Sequence, residues 1–374
     1  MKVFYIDPQS CSNLAVYDYS LLSGLQDVQI SFYHSVRYDT APVSGAQSYP
    51  VFRYNECGNP LTKTISYVGS MLRIAKDAVC QRPDVIHIQW FRLWIVDYLL
   101  LFFYHLLGIK VVFTAHNILP HNCRARDRFT FRKFYEKVDA IIVHSLRTKP
   151  EMAQKLHIPL DKIHVIHHGV LVSNLEEKDV LMRMDELRAQ CGIASGDIVF
   201  SCMGVQNKYK GTDMVVQVWN KLIGEDKRFH LLVVGKNEKI DFSSLEHLSN
   251  VHINLQRVSN LDFEAYLRIS SVALLPYIDI SQSGVLFSAL MANVPVLVSD
   301  VGGLTEPLSY SCVGWNIGEP SVENLEHQMK KLISSPDSIW AVKNDTSAFH
   351  KVQDMYSWDK ISQETQILYQ SLLA

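Results

Sequence analysis

Short apolar, strand-like runs alternate with longer amphipathic runs along most of this chain. In the first half the strand-like runs are Val3–Ile6, Val28–Tyr33, Val85–Trp90, Val111–Ala115, Ala140–His144 and Ile163–His167. Helical runs separate them: Tyr17–Leu25, Thr62–Cys80, Trp94–Leu107, Phe129–Val138 and Glu151–Leu156. Apolar strands regularly interleaved with helices predict a parallel sheet covered on both faces. The alternation breaks over Leu171–Gly192 into a charged stretch, which we read as a connection between domains. A second series follows, with strands at Ile198–Met203, Leu231–Val234, Val251–Leu255, Val272–Leu275 and Val296–Val298. Its helices are Asp213–Leu222, Phe263–Ile269, Val285–Met291 and Val322–Ile333.

The expected fold class is therefore α/β, with two Rossmann-like, doubly wound domains facing across a cleft. The boundaries expected are 1–170 and 171–350, with a C-terminal helix over 351–374 packing back on the first domain. A length of 374 residues agrees with two cores rather than one. Ligands of such sheets bind beyond the carboxyl ends of the strands.

Charge narrows the partners. A formal net charge of −2 argues against general binding of nucleic acid. The seven cysteines form no C-x-x-C pair, and the chain opens directly into a strand. Reduced thiols in a cytoplasmic setting are the expectation. The run Leu93–Leu107, LWIVDYLLLFFYHLL, is interrupted by Asp97 and His105 and is too short to span a bilayer. It reads as a helix buried against a sheet, with an aromatic content that also suits a membrane surface.

Two segments of the second half carry the chemistry. In SQSGVLFSALMANVPVLVSDVGGLTE, Ser281–Glu306, residues Ser283 and Gly284 stand where a helix begins. The free N–H groups of that first turn and the helix dipole favour an anion. Gly302 and Gly303 allow a close backbone approach, and Glu306 follows. In GVQNKYKGTD, a strand leads through Lys208, Lys210 and Gly211 into a helix near Thr212 or Asp213, a second anion-binding arrangement. A phosphate-bearing ligand fits both. There is no G-x-G-x-x-G after a strand and no G-x-x-x-x-G-K-[ST], so dinucleotide and triphosphate signatures are missing.

In the first half, the strand Val111–Ala115 delivers His116 and Asn117, followed by Pro120, His121 and Asn122. A histidine past a strand's carboxyl end can bond a phosphate or sugar hydroxyl, or act as general base near pH 7. His87 lies mid-strand and reads as a core residue. His144, His167 and His168 also stand at strand ends, with nothing in the sequence to set them apart. Arg124, Arg126, Arg128, Arg132 and Lys133 form a basic cluster suited to an acceptor phosphate or an anionic membrane, or simply to solvent. Neither H-E-x-x-H nor D-x-D occurs, so no metal is expected.

With GVQNKYKG, VALLPY, SGVLFSALMANVPVLVSDVGGLTE, VVFTAHNILPH and YSWDKISQETQILY in this order, the chain resembles GT-B glycosyltransferases of the family-4, or group 1, type. The resemblance implies an activated sugar donor on the second domain and an acceptor on the first. Lys210 would neutralise the donor diphosphate, and Ser283, Gly284 and Val285 would offer backbone donors to it. Pro276 and Tyr277 would line the base or ribose side, and His116 would stand beside the reacting centre. The activity implied is transfer of a hexose-type sugar from a nucleotide diphosphate sugar to a saccharide or lipid-linked saccharide in glycan biosynthesis. It would be metal-independent, with the donor as co-substrate and no cofactor. The aromatic helix and the basic cluster suggest peripheral contact with the inner membrane. The family's two glutamates, eight residues apart, are Ser281 and Ala289 here, so the ribose contact is either missing or supplied by Asp279 or Glu306. The usual arginine after the first loop's glycine is Val205, with Lys208 as a substitute, and Pro8-Gln9-Ser10 replaces a glycine-rich turn. Retaining transfer is implied; inverting transfer with His116, His121 or Asp18 as base stays open. So do an epimerase or phosphorylase on the same fold, and a non-catalytic nucleotide-sugar-binding subunit.

Overall fold

The computed structural model describes residues 1–119, 125–170, 175–222, 226–280 and 283–374, with backbone alone for 125–127. The chain forms two compact units, Met1–Gly169 with Tyr356–Ala374, and Val170–Met355.

The first unit runs β1 (Lys2–Asp7), α1 (Asn13–Ser23), β2 (Gln29–Ser35), β3 (Ala46–Phe52), α2 (Pro60–Gln81) and β4 (Val85–Ile88). It continues through α3 (Trp94–Leu106), β5 (Lys110–Thr114), α4 (Ala125–Lys137), β6 (Ala140–Val143), α5 (Thr148–Leu156) and β7 (Ile163–Val165). The strands are all parallel, in the order β3-β2-β1-β4-β5-β6-β7. Successive β1 residues feed opposite cores. Phe4 and Ile6 pack with Tyr67, Ile74 and Leu101 on one face, while Val3 and Tyr5 pack with Tyr17, Leu21 and Ile361 on the other. That two-sided burial explains why the strands read as apolar runs. β3 is the exception. It is an edge strand, largely exposed and carrying Pro50, so it has no apolar signature in the sequence.

The second unit contains α6 (Glu177–Cys191), β8 (Ile198–Met203), α7 (Thr212–Leu222), β9 (Phe229–Val234), β10 (Val251–Asn254), α8 (Asn260–Ile269) and β11 (Val272–Leu275). It ends with α9 (Gly284–Met291), β12 (Val296–Val298), α10 (Glu306–Tyr310), β13 (Gly314–Asn316), α11 (Val322–Ser334), α12 (Pro336–Lys343) and α13 (Thr346–Met355). Its parallel order, β10-β9-β8-β11-β12-β13, repeats the winding of the first sheet. In both, chain direction across the sheet reverses beside the first strand, which leaves a crevice at the strands' carboxyl ends.

Two expectations are corrected. The charged stretch taken for a connection is mostly α6, which buries Val180 and Leu187 and is tied to α8 by Arg183–Asp262 and Arg268–Glu177 ion pairs. Its two buried positions are seven apart and lie on one helical face. The C-terminal segment 351–374 is not one helix. α13 ends at Met355 within the second unit, and α14 (Trp358–Leu373) starts afresh, its first turn capped by the Ser357 side chain accepting from Lys360 N–H. α14 belongs to the first unit, where the Ser362 hydroxyl donates to the Leu21 carbonyl at 2.8 Å.

Candidate functional site

In the second unit the loops after β8 and β11 meet. Gly204, at φ +87°, turns the chain out of β8, and a Cβ placed there would lie 2.9 Å from Lys210 Nζ and 3.4 Å from Val285 Cγ2. The Lys210 ammonium, the Gly204 turn and the first turn of α9 therefore converge on one spot. Local chemistry holds them. Asn207 accepts from Lys210 N–H at 3.2 Å, capping a short turn over Lys208–Lys210. Gly211 then adopts φ +68°, and any Cβ there would collide with the Pro276 carbonyl. Ile278 N–H donates to the Tyr209 carbonyl at 2.7 Å, joining the two loops.

Lys210 Nζ lies 5.5 Å from the centroid of the Tyr277 ring. Burial pulls its ammonium below the ordinary lysine range, opposed by Cys202 and Glu238. Tyr277 is buried, and the Ser283 hydroxyl donates to its oxygen at 3.4 Å. Ser283 also caps α9, accepting from Leu286 N–H at 3.3 Å. The amides of Gly284 and Val285, in the exposed first turn, precede that capped group. A lysine ammonium beside a helix N-terminus makes an anion site suited to phosphate.

Pro276 and Tyr277, expected to line the base or ribose side, are both buried and shape the site from beneath. Lys208 is exposed. Glu306 begins α10 after the next strand, buried, with the Tyr310 hydroxyl donating to its Oε1 at 3.4 Å. Ala289 is wholly buried in α9, and Asp279 is exposed. Ser281 lies outside the described residues.

Sequence reasoning missed Gln206. Its buried carboxamide donates to the carbonyls of Gly204 (2.7 Å), Cys202 (3.0 Å) and Val234 (3.2 Å), and accepts from the Thr212 hydroxyl. Gly235, at φ +125°, was missed too; a Cβ there would strike the Gly204 carbonyl. An open cavity of about 630 Å³ lies at the carboxyl ends of β9 and β10, lined by Asn237, Phe242, Asn254, Leu255 and Gln256 among others. Asn237 is bridged to Gln206, which places the cavity next to the lysine loop.

The first unit gathers histidines at its strand ends. Beyond β5, His116 stacks on Trp90 with centroids 5.0 Å apart and planes 8° apart. Its Nε2 is 2.9 Å from Gln89 Oε1 and its Nδ1 is 3.4 Å from His144 Nε2. Tyr17 meets the rings of His116, His144, His168 and Trp358 at 4.9 to 5.8 Å. Enclosure, then the neighbouring histidines, holds His116 well below the ordinary histidine range, and His144 falls to about 3. These rings are neutral at pH 7. With both nitrogens engaged inside the unit, His116 is not a free base near neutrality, contrary to expectation. His87 is a core residue as read, between Tyr369 (2.6 Å) and Thr114 (2.7 Å).

Asp18 also departs from expectation. It is fully buried, accepting from the Tyr5 hydroxyl at 2.8 Å and the Ser10 hydroxyl at 2.5 Å, so it does not face an acceptor. Burial and the Asp7 carboxylate raise its carboxyl well above the usual range. Asn117 is half-buried, and its carbonyl accepts from the Tyr135 hydroxyl at 3.5 Å. His121 and Arg124 lie outside the described residues, and the side chain of Arg126 is not described. Arg132 and Lys133 both pair with Glu136. Among the described residues no group of three or more His, Cys, Asp or Glu could hold a metal ion, and no helix is long and apolar enough to cross a membrane.

Comparison with known proteins matches this geometry to a family. Residues 32–173 match Glycosyltransferase Family 4 and residues 183–346 match Glycosyl transferases group 1. An uncharacterized glycosyltransferase of Methanocaldococcus jannaschii is 22% identical, over 99% of this chain and 97% of that protein. Among solved structures, HepE of Anabaena in complex with UDP superposes with a TM-score of 0.70 at 12% identity, covering 99% of this chain and 100% of its own. WaaG, a glycosyltransferase involved in lipopolysaccharide biosynthesis, gives 0.64 at 14% identity, covering 99% of each chain. The chain belongs to the family-4, group 1 glycosyltransferases, has the GT-B fold, and is a transferase that uses a nucleotide sugar.

Proposed function

We propose that the second unit grips the diphosphate of the donor with Lys210 and the α9 amides, and that the first unit offers the acceptor, a saccharide or lipid-linked saccharide. The observation that carries this reading is the convergence of Lys210 Nζ, Gly204 and Val285. In the transfer, the bond between the sugar's anomeric carbon and the diphosphate oxygen breaks. A bond from that carbon to the acceptor oxygen forms, and the acceptor's proton passes to the departing diphosphate oxygen. Charge grows on the departing diphosphate, and a fixed ammonium with oriented amides stabilises it more than the ground state. Those donors perform the neutralisation a metal would otherwise supply, which supports metal-independent transfer. The hexose-type sugar and retention of configuration belong to this reading as family expectations. The cavity at the ends of β9 and β10, adjoining the lysine loop, suits the nucleoside end of the donor.

UDP, GDP and ADP titrated by calorimetry in EDTA test the site. One of them should bind without metal, and Lys210→Met should weaken it by roughly 10- to 100-fold, the worth of a charged hydrogen bond. Metal-dependent binding, or binding indifferent to Lys210→Met, overturns the proposal.

Peripheral membrane contact rests on α3, where Ile95, Leu99, Phe102 and Leu106 are all exposed on one helical face. Such a stripe is unusual on a water-facing helix. Lys137 Nζ lies 4.1 Å from the Phe102 ring, and Arg128 is exposed on the same helix, α4, so cations accompany the apolar face and favour an anionic bilayer. The protein should co-sediment with phosphatidylglycerol vesicles and not with neutral ones, and Leu99→Asp with Phe102→Asp should abolish this. Equal sedimentation of the double variant removes the membrane from the proposal.

A further inference from the structure

A line of polar side chains crosses the first unit from α14 to the end of β7. Tyr369 Oη lies 2.6 Å from His87 Nδ1, and His87 Nε2 lies 2.7 Å from Thr114 Oγ1 and 3.0 Å from the Gln89 carboxamide. The other end of that carboxamide is 2.9 Å from His116 Nε2. His116 Nδ1 faces His144 Nε2 at 3.4 Å, and His144 Nδ1 is 2.9 Å from the Ile166 carbonyl oxygen.

Burial keeps all three imidazoles neutral, so each carries one ring proton. One end of the line is fixed, because a carbonyl oxygen only accepts. His144 Nδ1 must therefore carry its proton, which leaves Nε2 bare. His116 can meet a bare nitrogen favourably only with Nδ1–H. That leaves His116 Nε2 bare in turn, so Gln89 must present its NH₂ there and its oxygen towards His87 and Thr114. A half-turn of the carboxamide exchanges its two ends without moving its neighbours. His87 then donates from Nε2, and the Tyr369 hydroxyl donates to His87 Nδ1. Each of these contacts then joins a donor to an acceptor. With the carboxamide the other way round, bare nitrogens of His116 and His144 would face each other with no proton between them.

We propose that His144 is a positioning residue that holds His116 as its Nδ1–H tautomer, with the ring fixed against Trp90. The sequence pattern does not distinguish His144, and its importance rests on this geometry. The functional weight of the device rests on the reading of this face as the acceptor side. There, a neutral ring with both nitrogens committed contributes orientation and polarity rather than proton abstraction.

The test is nitrogen NMR on the full chain labelled at histidine, comparing wild type, His144→Leu and His144→Gln at pH 7, with His116→Asn to assign the ring. The expected wild-type spectrum shows His116 protonated at Nδ1 and bare at Nε2. In His144→Leu the His116 proton should move to Nε2, or the ring should become charged. In His144→Gln the side-chain oxygen can accept from Nδ1–H, so the wild-type tautomer should be retained. A wild-type His116 protonated at Nε2, or charged, overturns the proposal, as does an unchanged tautomer in His144→Leu. The wild-type spectrum decides the matter even if neither variant folds. Because the spectra need no substrate, their outcome is separate from whether sugar transfer is found.

Discussion

At the residue scale, Gly211 shows how much of the donor site hangs on a missing side chain. Its positive φ alone would cost another residue on the order of 1 kcal/mol. The Pro276 carbonyl, standing where a Cβ would go, adds a collision with backbone that cannot step aside cheaply. Gly318 provides the comparison, with φ +78° and open space around it. Gly211→Ala should lower the melting temperature several degrees further than Gly318→Ala and should weaken nucleoside diphosphate binding, because Lys210 immediately precedes it. Equal effects of the two substitutions in differential scanning calorimetry would show that the contact is unimportant. Lys210, Gly211 and Ser283 were legible in the sequence because each acts beside its own strand or helix end, where residue type and order suffice. Gln206 and His144 were not. Their roles come from groups on neighbouring strands, Val234 for one and Ile166 for the other, and no spacing along the chain reveals such a pairing.

At the scale of elements, the strands that form continuous apolar runs were readable, even the three-residue β7 and β12, whereas strands without such a run were not. β3 and the three-residue β13 lack the apolar run that marked the others. α6 was misread because only Val180 and Leu187 of its residues are buried, and charged side chains pair it with α8. The start of α9 links fold and site most directly. Ser283 satisfies one orphan donor of that helix, and it holds the helix end that faces Lys210. Ser283→Ala should cost about 1 kcal/mol in urea denaturation, the usual worth of an N-cap. Ser283→Asp should keep the cap yet weaken diphosphate binding, since it adds a negative charge where an anion is expected. An aspartate variant that binds nucleotide as well as wild type would separate the cap from the anion site.

For the whole molecule, buried titratable groups make stability depend on pH with two opposed signs. His87 and His144, at about 3, are neutral in the fold, whereas an unfolded histidine titrates near 6.5. As pH falls below about 6.5 the unfolded chain takes up protons that the folded chain refuses, so stability drops by up to about 1.4 kcal/mol per pH unit for each ring until pH 3. Asp7 and Asp18 act the other way. Burial raises both carboxyls above the unfolded range, so their favourable share is present at low pH and is lost as pH rises through their folded values. Denaturation measured from pH 8 to pH 5 can separate the two. His87→Gln should shallow the acid decline by roughly 2 kcal/mol between pH 6.5 and 5, since one refused proton is removed from the balance. Asp7→Asn should raise stability at pH 8 and steepen the decline, because the compensating carboxyl is gone while Gln9 N–H keeps an oxygen to donate to. Parallel pH curves for wild type and both variants would mean that these groups titrate alike in the folded and unfolded chain.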